Sequence, residues 1–389
     1  SLPREEANCL RNLGVVSARS GDFGQARDYL EQALHAFRAV GDRQGESAAV
    51  NSLGAVSAGQ GDLSQARIYF EQALAVYREI GDRWGEGTAL TNLGQVCSDQ
   101  GQLLDARRYL QDALRLCREI EDREGEGAAL TNLGEIASEL GDHGAAKTHF
   151  EQAVALLHDI GDRRVEGFAL GGLGLVHLRL GDYGPAGEHL QRGLDLLHEI
   201  DDPQGECLLL SYRGLLLHRV GDAEAARETS QEAARIAKEI GDRTTQACAL
   251  AHLGHALAAL GAAEEAAGAY QQALDIHLEL DQANLAAEAR AGLARLALAA
   301  GAPGQAQAHV RAILEVLETG SLDGALEPFR IYLTCVQVLR AAQDRRAEEL
   351  LAKAHLLLHR QAAQIPDLEL RRTFLESEQA TAIHEEDFE

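Results

Sequence analysis

The chain has 389 residues and a formal net charge of −25, an excess that works against binding the phosphate backbone of a nucleic acid. A hydrophobic content of 46% is enough to bury a core, and only 4% aromatic residues with 6 prolines fit a helical chain rich in Ala, Leu, Glu and Arg. No run of about 18 apolar residues marks a membrane span or a signal sequence. Cys9, Cys97, Cys117, Cys207, Cys248 and Cys335 stand singly with no C-x-x-C, as expected of reduced thiols in a cytoplasmic protein.

The first element opens directly on a helix, Arg4-Glu5-Glu6-Ala7, without the G-D-R-x-G lead-in of later segments, and no methionine occurs anywhere. We read the chain as a fragment of a longer protein. A 40-residue signature then recurs: Leu13-Gly14, Leu53-Gly54, Leu93-Gly94, Leu133-Gly134, Leu173-Gly174 and Leu253-Gly254, with looser copies at Arg213-Gly214 and Leu293-Ala294. An alanine keeps step at Ala26, Ala66, Ala106, Ala146, Ala186, Ala226, Ala266 and Ala306. A fixed period of this length means a stacked array, each unit burying its apolar face against its neighbours.

Residues 41–80 illustrate one unit. Gly41 supplies a left-handed residue that ends the preceding helix, and Asp42 caps the next. Ala49, Val50, Leu53, Val56 and Ser57 form a stripe at helical spacing. Gly54 lets a second helix approach. Gly61 and Asp62 break and restart the chain, with Gln65 completing a capping-box variant. Ala66, Tyr69, Phe70, Ala73, Leu74 and Tyr77 then face inward, and Ile80-Gly81 closes the unit. The G-D-R columns (Asp42-Arg43, Asp82-Arg83, Asp162-Arg163, Asp242-Arg243) read as capping with surface ion pairs. Glu46, Glu86, Glu126, Glu166 and Glu206 suit the first turn of a helix.

Two antiparallel helices of about 15 residues per unit, with small residues where they cross, give an all-α solenoid. Over roughly residues 4–319 the signature (L-G, then A, then F/L/Y, then A) resembles the tetratricopeptide repeat. The lengthened unit is similar to those of kinesin light chains, of polarity adaptors that bind peptides, and of many bacterial regulators. The resemblance implies a right-handed α-α superhelix: eight helix pairs over 1–319, a degenerate ninth pair over 320–364, and a capping helix and tail over 365–389.

It also implies that first helices line a concave groove. Just before L-G the series runs Asn12, Ser52, Asn92, Asn132, Gly172, Tyr212, His252 and Gly292. Asparagine both donates to and accepts from a peptide backbone. Asn12, Asn92 and Asn132 thus look like the ladder of peptide-binding members; the alternative is that they hydrogen-bond between helices. The departures at the other positions restrict the analogy to the first half. Asp99, Glu135 and Glu139 fall on the same face. Arg179, Arg219 and Arg295 follow in later repeats, near Tyr212, His252 and His255. This basic patch could take an acidic peptide, a carboxylate or a phosphate, or be spent on salt bridges within the wall. In the sixth unit Arg213 and Ser230 replace signature residues, which predicts either local repacking around Leu215 and Leu216 or a kink and pocket.

Catalytic and cofactor signatures do not occur: there is no G-x-x-x-x-G-K-[ST], no G-x-G-x-x-G after a strand and no G-x-S-x-G. Cys248, His252 and His255 share one helical face at metal-ligand spacing, but no fourth ligand is evident, so neither metal nor cofactor is expected. His149 with His189, and His158 with His198, are one repeat apart and stack rather than converge.

After residue 319 the period weakens. Gly320-Ser321-Leu322-Asp323-Gly324 reads as a loop, helices follow over about 325–341 and 344–363, and a last helix begins at Arg371-Arg372-Thr373-Phe374-Leu375. A terminal unit should cover the open end of the stack, and Glu385-Glu386-Asp387 suits a solvated end. Ile365, Asp367, Arg371, Phe374 and Leu375 resemble the end of the repeat region in large bacterial signalling proteins built on a STAND-type P-loop ATPase. Ser377-Glu378-Gln379 departs from their usual continuation. That resemblance implies a sensor binding a peptide, partner protein or anionic inducer, its occupancy relayed to an ATPase. The alternative is a stand-alone adaptor that clamps an extended peptide.

Overall fold

The computed structural model describes residues 2–319, 322 and 324–385, which contain twenty helices and no strand. Two compact units divide after Ile136, within the seventh helix. The first contains α1 (Leu2–Arg19), α2 (Phe23–Val40), α3 (Arg43–Gly59), α4 (Leu63–Ile80), α5 (Arg83–Asp99) and α6 (Leu103–Glu119), and most of α7 (Arg123–Glu139). The second continues with α8 (His143–Ile160), α9 (Arg163–Arg179), α10 (Tyr183–Glu199), α11 (Pro203–Arg219), α12 (Ala223–Ile240), α13 (Arg243–Ala259), α14 (Ala263–Glu279), α15 (Ala283–Ala299) and α16 (Pro303–Thr319). Beyond the eight pairs come α17 (Pro328–Ala341), α18 (Arg346–Ala363), α19 (Leu368–Leu375) and α20 (Glu378–Glu385).

The helices run 17 or 18 residues through the eight pairs, slightly longer than expected. Gly41 (φ 70°) ends α2 and Asp42 starts α3. The Asp42 N–H donates to Phe37 O (2.9 Å), and its carboxylate accepts from Gly45 N–H (3.0 Å). At Asp62 only half of the predicted box forms: the carboxylate accepts from Gln65 N–H (3.0 Å), while its own N–H goes to Ser57 O (2.9 Å). Closing the previous helix takes the group that Gln65 would have bonded. Where the closing glycine is missing, Glu121, Asp201 and Asp281 adopt φ of 53–59° in its place.

Packing within each unit follows the period. Helices pack on their successors, and first helices pack on first helices: α1 on α3 and α3 on α5 in one unit, then α9, α11, α13, α15 and α17 in series in the other. All eight signature alanines, Ala26 through Ala306, are fully buried. A Cβ on Gly54 would lie 2.6 Å from the Phe70 ring, so the residue at this crossing has to be small. The arginine column closes units from outside: Arg43 reaches Glu79 and Arg83 reaches Glu119, both at 2.5 Å, and Arg38 with Arg43 holds Glu46. Solvent and salt screen these surface pairs, so each adds little to stability.

In the sixth pair α11 runs unbroken from Pro203 to Arg219 with Leu215 and Leu216 buried, which is the repacking alternative. The C-terminal end differs from expectation in two ways. The single last helix is two, because Asp367 caps α19 by accepting from Glu369 and Leu370 N–H (2.9 and 3.1 Å), and α20 follows after Ser377. Nor does this segment merely cover an open end: it reaches back to the start of its unit. Gln361 closes on Gly141, the Phe374 ring lies 6.1 Å from that of His143, and Ser377 packs on Gly181. Gly320, Ser321, Asp323, Glu386 and Asp387, parts of the expected loop and tail, lie outside the described residues. No described helix is long and apolar enough to cross a membrane.

Candidate ligand-binding site

The first-helix face of the N-terminal unit carries the amide and carboxylate positions. Asn12 on α1 is exposed and accepts from Arg11 (3.3 Å); Asn132 on α7 is half-buried. Asn92 Nδ2 donates to Asn51 Oδ1 of the preceding first helix (3.3 Å), a rung between adjacent repeats that uses Asn51 in place of Ser52. Asp99 is exposed and accepts from Gln95 (2.9 Å); desolvation on this face raises its carboxyl pKa. Glu135 is exposed, one turn beyond Asn132.

The basic positions of the second unit have a different fate, which corrects their reading as an open groove. Arg219, at the end of α11, forms a buried ion pair with Glu327, and its other nitrogen lies 3.3 Å from Glu378. Glu327 precedes Pro328, whose ring presets the first turn of α17 and fixes where the carboxylate arrives. Arg330, one turn on, takes the second oxygen at 3.0 Å. Burial would raise this carboxyl, but the two guanidiniums overcome it and hold its pKa well below the usual range. The chain supplies its own anion to its own arginines.

His252 and His255 are fully buried rather than groove-facing. His252 Nδ1 lies 3.0 Å from both Ser211 Oγ and Ser211 O, and burial pushes its pKa down to about 4. His255 bridges Tyr270 OH (2.6 Å) and Glu288 (2.9 Å), and burial lowers its pKa strongly. Burial, with the Glu327 charge nearby, raises Glu288 to about 7. His255, Glu288 and Glu327 offer ligand atoms within 4.8 Å of one another, whereas Cys248 stays outside this group. Both Glu327 oxygens are already taken by arginines, so the donor set does not suit a cation. Arg295 Nη1 donates to Thr334 Oγ1 (2.8 Å), and burial beside Arg330 lowers its pKa.

Arg179 ends α9, half-buried like Glu139 and Tyr212. Its Nη1 donates to Ser138 O and Oγ, both at 2.8 Å, and Nη2 to Ala325 O at 3.2 Å. It lines a pocket of about 200 Å³ between the ends of α7, α9 and α11 and Leu322, residues 325–329 and α17–α20. Leu178, Leu326, Phe329 and Phe374 supply apolar walls, and Arg179, Arg219 and His143 polar ones. Its accessible surface is pocket wall, yet protein surrounds the charge, and desolvation lowers its pKa.

The inner-face positions were legible in the sequence, but their partners Glu288, Glu327, Arg330 and Tyr270 were not. Glu288 had a signal: it breaks a column of Ala48, Thr88, Ala128, Phe168, Leu208 and Cys248. Glu327 had none beyond its proline, since it lies where the period has lapsed.

The sequence profile of the tetratricopeptide repeat matches residues 5–79, 85–159, 127–199 and 205–279. No curated protein matches the chain at a significant level. Among solved structures, the apo form of the quorum sensor NprR from B. thuringiensis is 14% identical with a TM-score of 0.61, covering 91% of this chain and 99% of that one. A Rap protein complexed with Competence and Sporulation Factor is 16% identical with a TM-score of 0.58, over 98% of each chain. A STAND protein with a tetratricopeptide repeat sensor from Pyrococcus horikoshii is 17% identical with a TM-score of 0.54, covering 91% of this chain and 54% of that one. At these identities the likeness is one of fold.

Proposed function

Because the chain belongs to the tetratricopeptide repeat family, we propose that it is a non-catalytic cytoplasmic sensing domain whose ligand is an extended peptide or a segment of a partner protein. The carrying observation is a division of labour. Arg219 of the second unit is paired with the chain's own Glu327 in a buried contact, whereas Asn12 and Asp99 stay exposed on the first-helix face. A peptide backbone can replace the long Asn92–Asn51 bond at little cost, and Asp99 with Glu135 favours a ligand carrying Lys or Arg. Solved structures of similar fold include a quorum sensor and a Rap protein complexed with Competence and Sporulation Factor, which supports a sensing role.

We place this domain as the sensor of a larger bacterial regulator of the STAND type, a reading supported by the Pyrococcus fold and by the Ile365-to-Leu375 tail. The second reading, an adaptor that clamps a peptide, uses the same face and draws on the Asn92–Asn51 rung. Selecting extended peptides from a displayed library and measuring their affinity for Asn92→Ala/Asn132→Ala tests both. The double variant should bind about tenfold more weakly; undiminished affinity removes the clamp. A sensor's peptide changes ATP hydrolysis by an attached P-loop module, and an adaptor's leaves it unchanged.

A further inference from the structure

The pocket at Arg179 differs from the polar cluster beside it in one respect: its cation is in contact with no carboxylate, and the Glu139 and Glu288 charges act on it only from further off. Arg219 is paired with Glu327 and Glu378, but the Arg179 hydrogen bonds end on neutral oxygens, Ser138 O and Oγ and Ala325 O. Arg179 Nε is buried without a partner. Burial pushes His143, which faces Gln361 on the same wall, down to about 3, so it adds no charge. A guanidinium in a partly enclosed pocket with mixed apolar and polar walls attracts one negative charge more strongly than it does in bulk water, and its remaining N–H groups can donate to a carboxylate. Glu139 and Glu327 on the same walls oppose a dianion. Size narrows the class further: a cavity of about 150 Å³ accommodates benzene, so about 200 Å³ takes a ring or short chain with its head group, and not an extended peptide.

We propose that this pocket binds a small organic monocarboxylate, its head at Arg179 and its apolar body against Leu178, Phe329 and Phe374. The walls come from α9 on one side and from Leu322, residues 325–329 and α19 on the other, so an occupant holds the C-terminal segment onto the array. Asn92 and Asn132 do not line this pocket, and the inference does not depend on them.

Titration of the full chain with 3-phenylpropionate and octanoate tests it, with 3-phenylpropionamide and phenyl phosphate as controls. Saturable binding of at least one acid is expected, with the amide and the phosphate each about tenfold weaker. Hydrogen-exchange protection should rise at residues 322–329 and 368–375. Arg179→Gln should weaken the acid about tenfold. Because Arg179 also ties Ser138 to Ala325, Leu326→Trp serves as a second variant that fills the pocket and spares those bonds. It should keep its helical content by circular dichroism and lose the ligand. No saturable binding, equal affinity for the amide, tighter phosphate, protection confined to other segments, or full binding by a folded Leu326→Trp chain would each overturn the proposal. Asn92→Ala/Asn132→Ala should bind the acid unchanged; a loss there would move the site to the peptide face and overturn it as well.

Discussion

Arg219 and Glu327, 108 positions apart, form a buried ion pair in which the carboxylate also takes Arg330 at 3.0 Å. Removing one member of such a pair leaves the other charge buried, a loss of about 3–5 kcal/mol, whereas replacing both with apolar groups is far less damaging. Glu327→Gln and Arg219→Met should therefore each destabilise strongly, and Arg219→Met/Glu327→Leu should lose much less than their sum. Chemical denaturation of the four chains measures the coupling; additive losses would mean that the pair is not a unit.

Acid should loosen the second unit. His143 and His252 are held neutral by burial, near 3 and 4 against an ordinary 6.5, so the unfolded chain binds protons that the folded one does not. Stability from these groups is present above pH 6.5 and drains away as pH falls toward the folded values, by about 2 kcal/mol per group at pH 5. Glu288 acts with the opposite sign. Raised to about 7, it contributes below its ordinary 4.5 and loses that contribution as pH rises through 7. Thermal midpoints from pH 5 to 8.5 should peak near neutrality. Glu288→Gln should flatten the alkaline limb, and His143→Phe should soften the acid one.

The helix pairs were legible because period and punctuation agree: Leu53-Gly54 marks the crossing and Gly41-Asp42 marks the joint, each by a local physical requirement. The arrangement of the candidate site residues was legible by halves. Periodicity assigns Arg179, Arg219 and Arg295 to one face, since position along a helix fixes direction. It cannot say that Ala325, Glu327 and Arg330 meet this face, because that contact joins segments whose spacing carries no period. The C-terminal helices reach further than the period shows: Phe374 lies against Phe329 of α17 and also near His143, across its own unit.

Asp281 closes α14 with φ 56°, where most units have glycine. A left-handed residue with a Cβ costs about 1 kcal/mol over glycine. Asp281→Gly and Asp201→Gly should each raise stability by about that amount, and Gly241→Ala should lower it similarly. Differential scanning calorimetry would read the shifts, and a lower midpoint for Asp281→Gly would contradict the strain argument.

Ser230 presents a choice between two outcomes. At the same position other units carry Leu30, Phe70, Leu110, Leu190 and Tyr270, so restoring leucine would seem to repair the repeat. The geometry says otherwise. A Cβ on Gly214 would lie 2.2 Å from Ser230 Oγ, as close as the larger side chains come elsewhere (2.6 Å from Leu30 to Gly14), so the α11 and α12 backbones have already closed over the small residue. Leucine would overpack the crossing, at about 1–3 kcal/mol. The hydroxyl itself is buried with no partner, so Ser230→Ala removes an unsatisfied group and should be neutral or stabilising by up to about 1 kcal/mol. Urea unfolding should therefore rank Ser230→Ala at or above the natural chain and Ser230→Leu below it. The reverse order would mean that the sixth pair is loosely packed, with room for the side chain its neighbours carry.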